Sequence, residues 1–571
     1  MLKRTYLLLF SFSLLFLASS ETLTHCEVII AGGSTSAIAA ALASANEGAI
    51  TCLLEPTDWV GGQLTASAVS AVDFPWKSPS KGNQTFPISA IGRDPNNNSP
   101  NFYKILSQSV GNQGACWVSV YCFPPKLMLE KGLYPLMEPL EEAGLLHVYY
   151  NTVPKRVFKN DKGDKIVGID AVQRTPRSTW TKCDLLADQL QDWYSEEASD
   201  RFEKTTLSFK SPSLSDPTQA TWIVVEGTEW GEILALSEAS YLQGLSESFD
   251  GDSSGEGGND RCGQSIVFGL TEDYNAQPTT EPENPYPVLH PEYYSLLTYS
   301  WEQIWTYRRV IGKKYGVPQP GDLSLQNWGE GNDYPFGYPF VDRLTVKEKV
   351  QKDQWDGGVD IDVIRDAEWT AIGWHYAFKA ANKTYEPYIT LNKEALGTCH
   401  GLSKIPYMRE TRRSIGLGGF IMKKADISGD FTVSPVASIP SDRVAIGLYN
   451  IDIHRIKSCN YPDYVNHVDD SNVLPFYIPF RALTNKDMTN LVVAGKAIAQ
   501  SFLTNSATRL HPVEWNTGSA AGAAAAFMHQ QMIDDTAEAL GRITEIQEVT
   551  KRHTPNRWFI NGSYYPSYEV A

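Results

Sequence analysis

Three segments that each read strand, glycine turn and helix, opening at Glu27, Trp222 and Leu491, predict an α/β fold. They predict a Rossmann-like arrangement, and the long irregular middle of the chain, 246–440, reads as a mixed α+β region. Composition agrees with an ordinary globular protein: 571 residues, 42% hydrophobic, 20% charged, formal net charge −17. An acidic surface opposes both phosphate backbones and anionic lipid, so no nucleic-acid partner is expected.

The chain opens with an address. Lys3 and Arg4 precede an apolar run from Tyr6 to Leu17, which gives way to Ala18, Ser19 and Ser20. This is the layout of a secretory signal peptide over 1–20. The run is shorter than the roughly 20 residues that cross a bilayer. No comparable stretch follows, so the expectation is a mature chain without stable membrane insertion, secreted or held in an endomembrane or lysosomal lumen. Asn83, Asn382 and Asn561 then become glycosylation sequons, whereas the sequon at Asn97 is followed by Pro100 and is a poorer acceptor. All eight cysteines follow the leader, an even number that predicts disulfides in an oxidising compartment. Cys116 and Cys122 are the first pair expected, while Cys52, inside an apolar strand pattern, reads as a buried thiol.

Residues 27–55 carry the strongest local signal: an apolar strand, Gly32-Gly33, an Ala-rich helix, and a second apolar strand ending in Glu55. Glycines let the backbone turn and approach a pyrophosphate, and the helix start at Ser34 aims N–H groups and a positive dipole end at it. Glu55 stands where an acid accepts hydrogen bonds from ribose hydroxyls. The glycine pattern is imperfect, with Ser34 and Ala37 at the second and third glycine positions. Just beyond, Gly61-Gly62-Gln63 supplies a second flexible backbone segment of the kind a long cofactor uses and a nicotinamide site does not need.

From Leu491 a buried strand and a Gly495-Lys496 turn lead to a helix expected to begin near Asn516, built from Gly518, Ala520, Ala521 and Gly522. Its small residues would let the helix start press on a ligand and stabilise negative charge on a reduced flavin; close core packing is the alternative use. The middle segment would bring Gly227 and Thr228 to the same sheet edge. Together these point to FAD, with no separate NAD(P)H domain.

Between these segments, 145–175 reads as strands joined by an Asp161-Lys162-Gly163-Asp164 turn, and 184–204 as an acidic amphipathic helix. Residues 246–263 and 278–291 read as loops. Asp252, Glu256 and Asp260 lack EF-hand spacing, so no metal is expected. In PYMRETRR at 406–413, Arg409 and Arg412 are candidates to hold a substrate carboxylate or the flavin's carbonyl edge, against a solvated basic face as the other reading. His454 and His511 are candidate bases, or equally hydrogen-bonded structural histidines. Aromatic clusters at 299–309 and 326–340 would line a pocket for a sugar ring, an aromatic amine or an apolar ring, or simply fill a core.

The segments VIIAGGSTSAIAAA…LLEPTDWVGGQLTAS, VVEGTEWGEILAL, PYMRETRR and NLVVAGKAIAQSF…TRLHPVEWNTGSAAGAAAA resemble the FAD-dependent oxidoreductase family over nearly the whole mature chain. That resemblance implies a glutathione-reductase-like FAD-binding architecture. It implies pyrophosphate contacts from Gly32, Gly33 and Ser34, a ribose contact from Glu55, and flavin-proximal backbone at Gly61, Gly62 and Gln63. It further implies ribityl or pyrimidine contacts at Gly495, Lys496, Gly518 and Ala521, and an adenine contact near Val153. Members commonly show Thr-Pro-Ala-Gly where this chain has Ser34-Thr35-Ser36-Ala37. The implied parts of the FAD domain are 21–175, 221–245 and 441–545, with an insertion at 176–220, a substrate domain at 246–440 and a tail at 546–571.

Disulfide reductases of this architecture carry their cysteine pair close behind the first glycine motif. Cys116 and Cys122 lie far downstream of Gly32, so a structural bridge is the preferred reading of that pair. The expected function is a secreted flavoenzyme that takes a hydride from a small organic substrate, with oxygen as acceptor. A flavoprotein fold kept as a non-catalytic binding module is the alternative. The sequence sets no oligomeric state.

Overall fold

A computed structural model describes residues 25–214, 222–245, 260–294, 299–313, 316–468 and 472–567. The signal peptide expected over 1–20 and most of the 246–263 loop lie outside the described residues.

Eight strands organise the half that holds the parallel sheet: β1 (Val28–Ala31), β2 (Thr51–Leu54), β3 (Leu146–Tyr149), β4 (Thr152–Lys159), β5 (Ile166–Pro176), β6 (Phe202–Lys210), β7 (Ile223–Glu226) and β8 (Leu491–Val493). Five of them form one parallel sheet in the order β8–β7–β1–β2–β3. β1, β2, β7 and β8 are buried at every position, which is why they read as unbroken apolar runs rather than alternating ones. β4, β5 and β6 make an antiparallel meander beside it, with the expected Asp161–Asp164 turn joining the first two.

Two helices cover the sheet: α1 (Thr35–Asn46) and α2 (His511–Gln530). α2 starts five residues before the expected Asn516, because Pro512 in the first turn lacks only an N–H that the helix start leaves unpaired anyway. Its glycines serve close core packing, the alternative use read from the sequence. A Cβ on Gly518 would lie 2.1 Å from the Ser36 carbonyl oxygen, and one on Gly522 would lie 2.0 Å from that of Ala40. The small residues therefore seat α2 backbone-to-backbone on α1. The expected helix at 184–204 is confined to Leu186–Tyr194, since Phe202 already belongs to β6, paired with β5 along nine residues.

The inserted half is built on antiparallel sheets. One runs Arg309–Ile311, Leu323–Gln326, Leu270–Tyr274, Ile389–Leu391; another runs Asp333–Tyr334, Ile266–Val267, Tyr407–Met408. The helix Ile361–Ala380 packs across them. The chain thus has the predicted α/β class with a Rossmann-like parallel sheet.

All eight cysteines are paired, as Cys26–Cys52, Cys116–Cys122, Cys183–Cys399 and Cys262–Cys459. Cys52 is therefore not a free thiol: Cys26, just before β1, lies 5.7 Å away between Cα atoms on the neighbouring strand. Four disulfides are compatible with an oxidising environment. Among the described residues no helix is long and apolar enough to cross a membrane, and no His, Cys, Asp or Glu cluster could hold a metal ion. Asn83 and Asn561 are exposed, whereas Asn97 is buried and gives its amide to the carbonyls of Ile91 and Phe559.

Because the α1–α2 contact leaves no space for a side chain, Gly522→Val is expected to cost about 3 kcal/mol of stability in urea unfolding, the upper range for overpacking. A loss below about 1 kcal/mol would contradict the backbone-to-backbone seating.

Candidate active site and cofactor cleft

The C-terminal edge of the parallel sheet gathers the first group of expected residues. Gly32 has no room for a Cβ, which would lie 2.6 Å from the Leu54 carbonyl oxygen, and Gly33 adopts φ +110. Ser34 caps α1: its hydroxyl accepts the Ala37 N–H (3.1 Å) and donates to the Gly227 carbonyl (2.6 Å). The Thr35 hydroxyl donates to the Gly61 carbonyl at 2.7 Å, and Gly62 lies so close to Ser34 and Thr35 that its Cβ would be 2.5 Å from the Thr35 nitrogen. The three glycine turns therefore meet at the start of α1.

Glu55 follows β2 at the same edge. It is 1% exposed, and its carboxylate accepts from the Thr57 N–H (3.2 Å) and hydroxyl (3.1 Å). Burial, against those two hydrogen bonds, pushes its carboxyl up to about 8. Val153 is a neighbour: the N–H of Thr152 donates to the Glu55 carbonyl at 2.8 Å.

A further glycine turn, at Gly495, brings Lys496 into the interior. Gly495, at φ +62, donates its N–H to the Thr517 hydroxyl at 3.1 Å. Nζ of Lys496 lies 2.8 Å from Glu229 and 2.7 Å from Glu514, and Glu514 also accepts Nε2 of Gln63 at 2.6 Å. Burial works against the ammonium, but the two carboxylates outweigh it and hold Lys496 above its usual range. The expected ribityl or pyrimidine contact from Lys496 thus gives way to an internal ion pair. Gly518 and Ala521 are buried in α2, where Gly518 packs on α1. Gln63 keeps Oε1 buried and unpaired.

A cavity of about 540 Å³ lies next to this cluster. Val69, whose N–H donates to the Gln63 carbonyl at 2.9 Å, lines it, as does Tyr407, whose ring centroid is 5.8 Å from Nζ of Lys496. Trp117, Tyr299, Tyr307 and Trp328 form aromatic walls. His454 stands between two carboxylates, Nδ1 at 3.0 Å from Asp333 and Nε2 at 3.3 Å from Asp452. Asp333 also accepts Nη1 of Arg409 (2.8 Å) and the Ser265 hydroxyl (2.9 Å). Asp452 accepts Nη2 of Arg509 (2.9 Å), whose Nη1 donates to the Tyr407 hydroxyl (2.8 Å). Burial disfavours both carboxylates, but Arg409 and His454 for Asp333, and His454 and Arg509 for Asp452, hold them below the usual range. Each therefore stays ionised and keeps the ring of His454 in place.

The other two candidates sit elsewhere. His511 is fully buried and shares a 2.6 Å hydrogen bond with the Val69 carbonyl through Nε2; burial pushes it down to about 3, so the ring is neutral. Arg412 donates to the carbonyls of Trp230 (2.6 Å) and Gly358 (2.8 Å), and does not line the cavity. Nor is 406–413 a solvated basic face: Arg409, Arg412 and Arg413 are all buried, because each guanidinium satisfies interior carbonyls or carboxylates. Asp333, Asp452, Glu229, Glu514 and Arg509 were not singled out by sequence. Asp452 and Arg509 do lie within two residues of the two candidate histidines, but Asp333 is 121 residues from His454 and has no local signal.

A family model described as FAD dependent oxidoreductase matches residues 27–188 and 195–548. The chain belongs to that family. It is a flavin-dependent oxidoreductase and FAD is its cofactor. The residues fit the group: Glu55 is a buried acid with no cation paired to it among the described residues and is able to accept from ribose hydroxyls, and α1 opens with N–H groups beside a glycine turn. The serine at the second glycine position is accommodated, since its hydroxyl is turned onto Gly227 and Ala37.

No curated protein matches the chain. Among solved structures it is similar to a geranylgeranyl bacteriochlorophyll reductase-like protein from Thermoplasma acidophilum, at 9% identity over 93% of this chain and 85% of that one, TM-score 0.31. It is similar to the myxobacterial chondrochloren halogenase, at 8% identity over 91% and 78%, TM-score 0.29. It also matches p-nitrophenol 4-monooxygenase from Pseudomonas putida, at 9% identity over 44% of this chain, TM-score 0.20. The chain spans 48% of the length of that monooxygenase. At these TM-scores the assignment rests on the family match.

A ribose hydroxyl donates best to an ionised carboxylate, so FAD binding should release the proton that Glu55 holds below about 8 in the FAD-free protein. FAD affinity, followed by flavin fluorescence quenching, is expected to rise with pH until about 8 and then level off. Glu55→Gln should flatten the profile, and a flat wild-type profile would contradict the ribose assignment.

Proposed function

We propose that the chain is a secreted flavoenzyme that oxidises a small organic substrate in the aromatic-walled cavity, with His454 receiving the substrate's proton and oxygen serving as electron acceptor. One observation carries this reading: His454 is clasped by Asp333 and Asp452 at the wall of a cavity of about 540 Å³, two of whose lining residues, Val69 and Arg509, hydrogen-bond to Gln63. FAD, when bound, accepts the hydride. The chain's own residues do the rest. Trp117, Tyr299 and Trp328 hold the substrate's ring or alkyl body and exclude water. In the neutral tautomer that donates Nδ1–H to Asp333, Nε2 of His454, at 3.3 Å from Asp452, carries the lone pair that takes the proton from the substrate's hydroxyl or amine, and the charge that the ring gains is then stabilised by both carboxylates. Arg409 acts through Asp333 as a positioning residue, and Arg509 acts in the same way through Asp452. Arg412 and His511 have no part in the reaction, because neither lines the cavity.

Gly32, Gly33 and Ser34 are assigned to the pyrophosphate, Glu55 to the ribose, Val153 to the adenine side, and Gly61, Gly62, Gln63 and Gly495 to the flavin side. Support for secretion comes from the apolar leader at 1–20, the four disulfides and the exposed sequons at Asn83 and Asn561. Oxygen is the acceptor that an extracellular compartment supplies without a second nucleotide.

Once an anaerobic screen of alcohols, amines and sugars has found a compound that bleaches the flavin, His454→Gln should slow that bleaching about 100-fold or more while leaving FAD content unchanged. Bleaching at the wild-type rate would overturn the role of His454.

A further inference from the structure

A second cavity, of about 370 Å³, shares no lining residue with the first. It is bounded by β5, the Leu186–Tyr194 helix and the segment around Cys399. Five cationic side chains and two carboxylates line it, in a chain whose formal charge is −17. Three of these cations are neutralised: Lys404 lies 2.9 Å from Asp58, Arg201 lies 2.7 Å from Asp184, and Arg177 lies 3.0 Å from Glu203. Arg174 is different. It is 3% exposed, and its guanidinium stacks 4.1 Å over Trp193. Nη2 donates to the Pro56 carbonyl at 2.6 Å, while Nη1 is buried with no partner. Among the described residues no carboxylate pairs with it, and burial pushes it down to about 9.

A desolvated guanidinium with an open donor is costly unless an anion completes it. Its planar fork suits a carboxylate, and the walls that flank it, Trp180, Trp193 and Phe202, suit a flat ring. The volume is that of a small-molecule site rather than a packing defect. We propose that this cavity binds a small aromatic carboxylate, with the carboxylate on Nη1 of Arg174 and the ring against Trp180 and Trp193. FAD's pyrophosphate is assigned to the start of α1 and its ribose and adenine to Glu55 and Val153, neither of which lines this cavity, so the ligand is a second molecule that binds alongside the cofactor.

Calorimetric titration of the FAD-loaded mature chain with 1-naphthoate and with neutral 1-naphthalenemethanol tests this. The acid is expected to bind about tenfold tighter than the alcohol, and Arg174→Gln to abolish that preference. Trp180→Ala, at the half-buried rim, should weaken both ligands about fivefold and serves if the buried arginine variant fails to fold. Equal binding of acid and alcohol, or binding of neither, would overturn the proposal. So would naphthoate binding that survives Arg174→Gln but is lost in Arg409→Gln, which would place it in the first cavity. Binding seen only after FAD is removed would assign the cavity to the cofactor and overturn it as well.

Discussion

One buried ammonium joins parts of the chain that are hundreds of residues apart. Nζ of Lys496 sits between Glu229, from the middle glycine motif, and Glu514, from the first turn of α2, while Glu514 holds Gln63 from the N-terminal glycine segment. The nucleotide-binding domain is discontinuous in sequence, and this cluster is where its three pieces are tied together. A buried triad of this kind gives little net stability over an apolar core, yet losing one member strands charge in the interior at about 3–5 kcal/mol. Its value is therefore in fixing one arrangement of the glycine turns rather than in adding stability.

The same cluster sets the cavity. Gln63 donates through Nε2 to the Arg509 carbonyl at 3.1 Å, and the Arg509 side chain fixes Asp452, which faces His454. From the other side Asp333 fixes His454 and is itself held by Arg409. The imidazole is thus positioned by two chains of charge-assisted bonds, one from the nucleotide-binding half and one from the inserted half. The Asp333–Arg409 and Asp452–Arg509 bonds join ions and are short and directional, so a small change in either pair would move the carboxylate that holds the ring.

The parallel sheet was legible because strands buried on both faces must be apolar throughout, and α1 because its small residues recur where it meets the sheet. The Gly518 and Gly522 pattern was legible as close approach, but a small residue does not say what approaches it, and here it is α1. PYMRETRR showed charge without partners, since the carbonyls of Trp230, Gly244 and Gly358 that bury its arginines are distant in sequence. Asp333 was silent for the same reason: one aspartate in a Gly- and Tyr-rich stretch gives no sign that it will meet His454. Cys52 lay in a strand pattern that hides pairing, because its partner Cys26 precedes the first strand by two residues.

The central claim is that the three tied glycine turns hold FAD. Its most direct test is the visible absorption spectrum of the purified mature protein before and after acid precipitation, with the supernatant assayed for flavin. The account predicts a flavin spectrum in the native protein and FAD in the supernatant. Colourless protein that also fails to bind added FAD would contradict it.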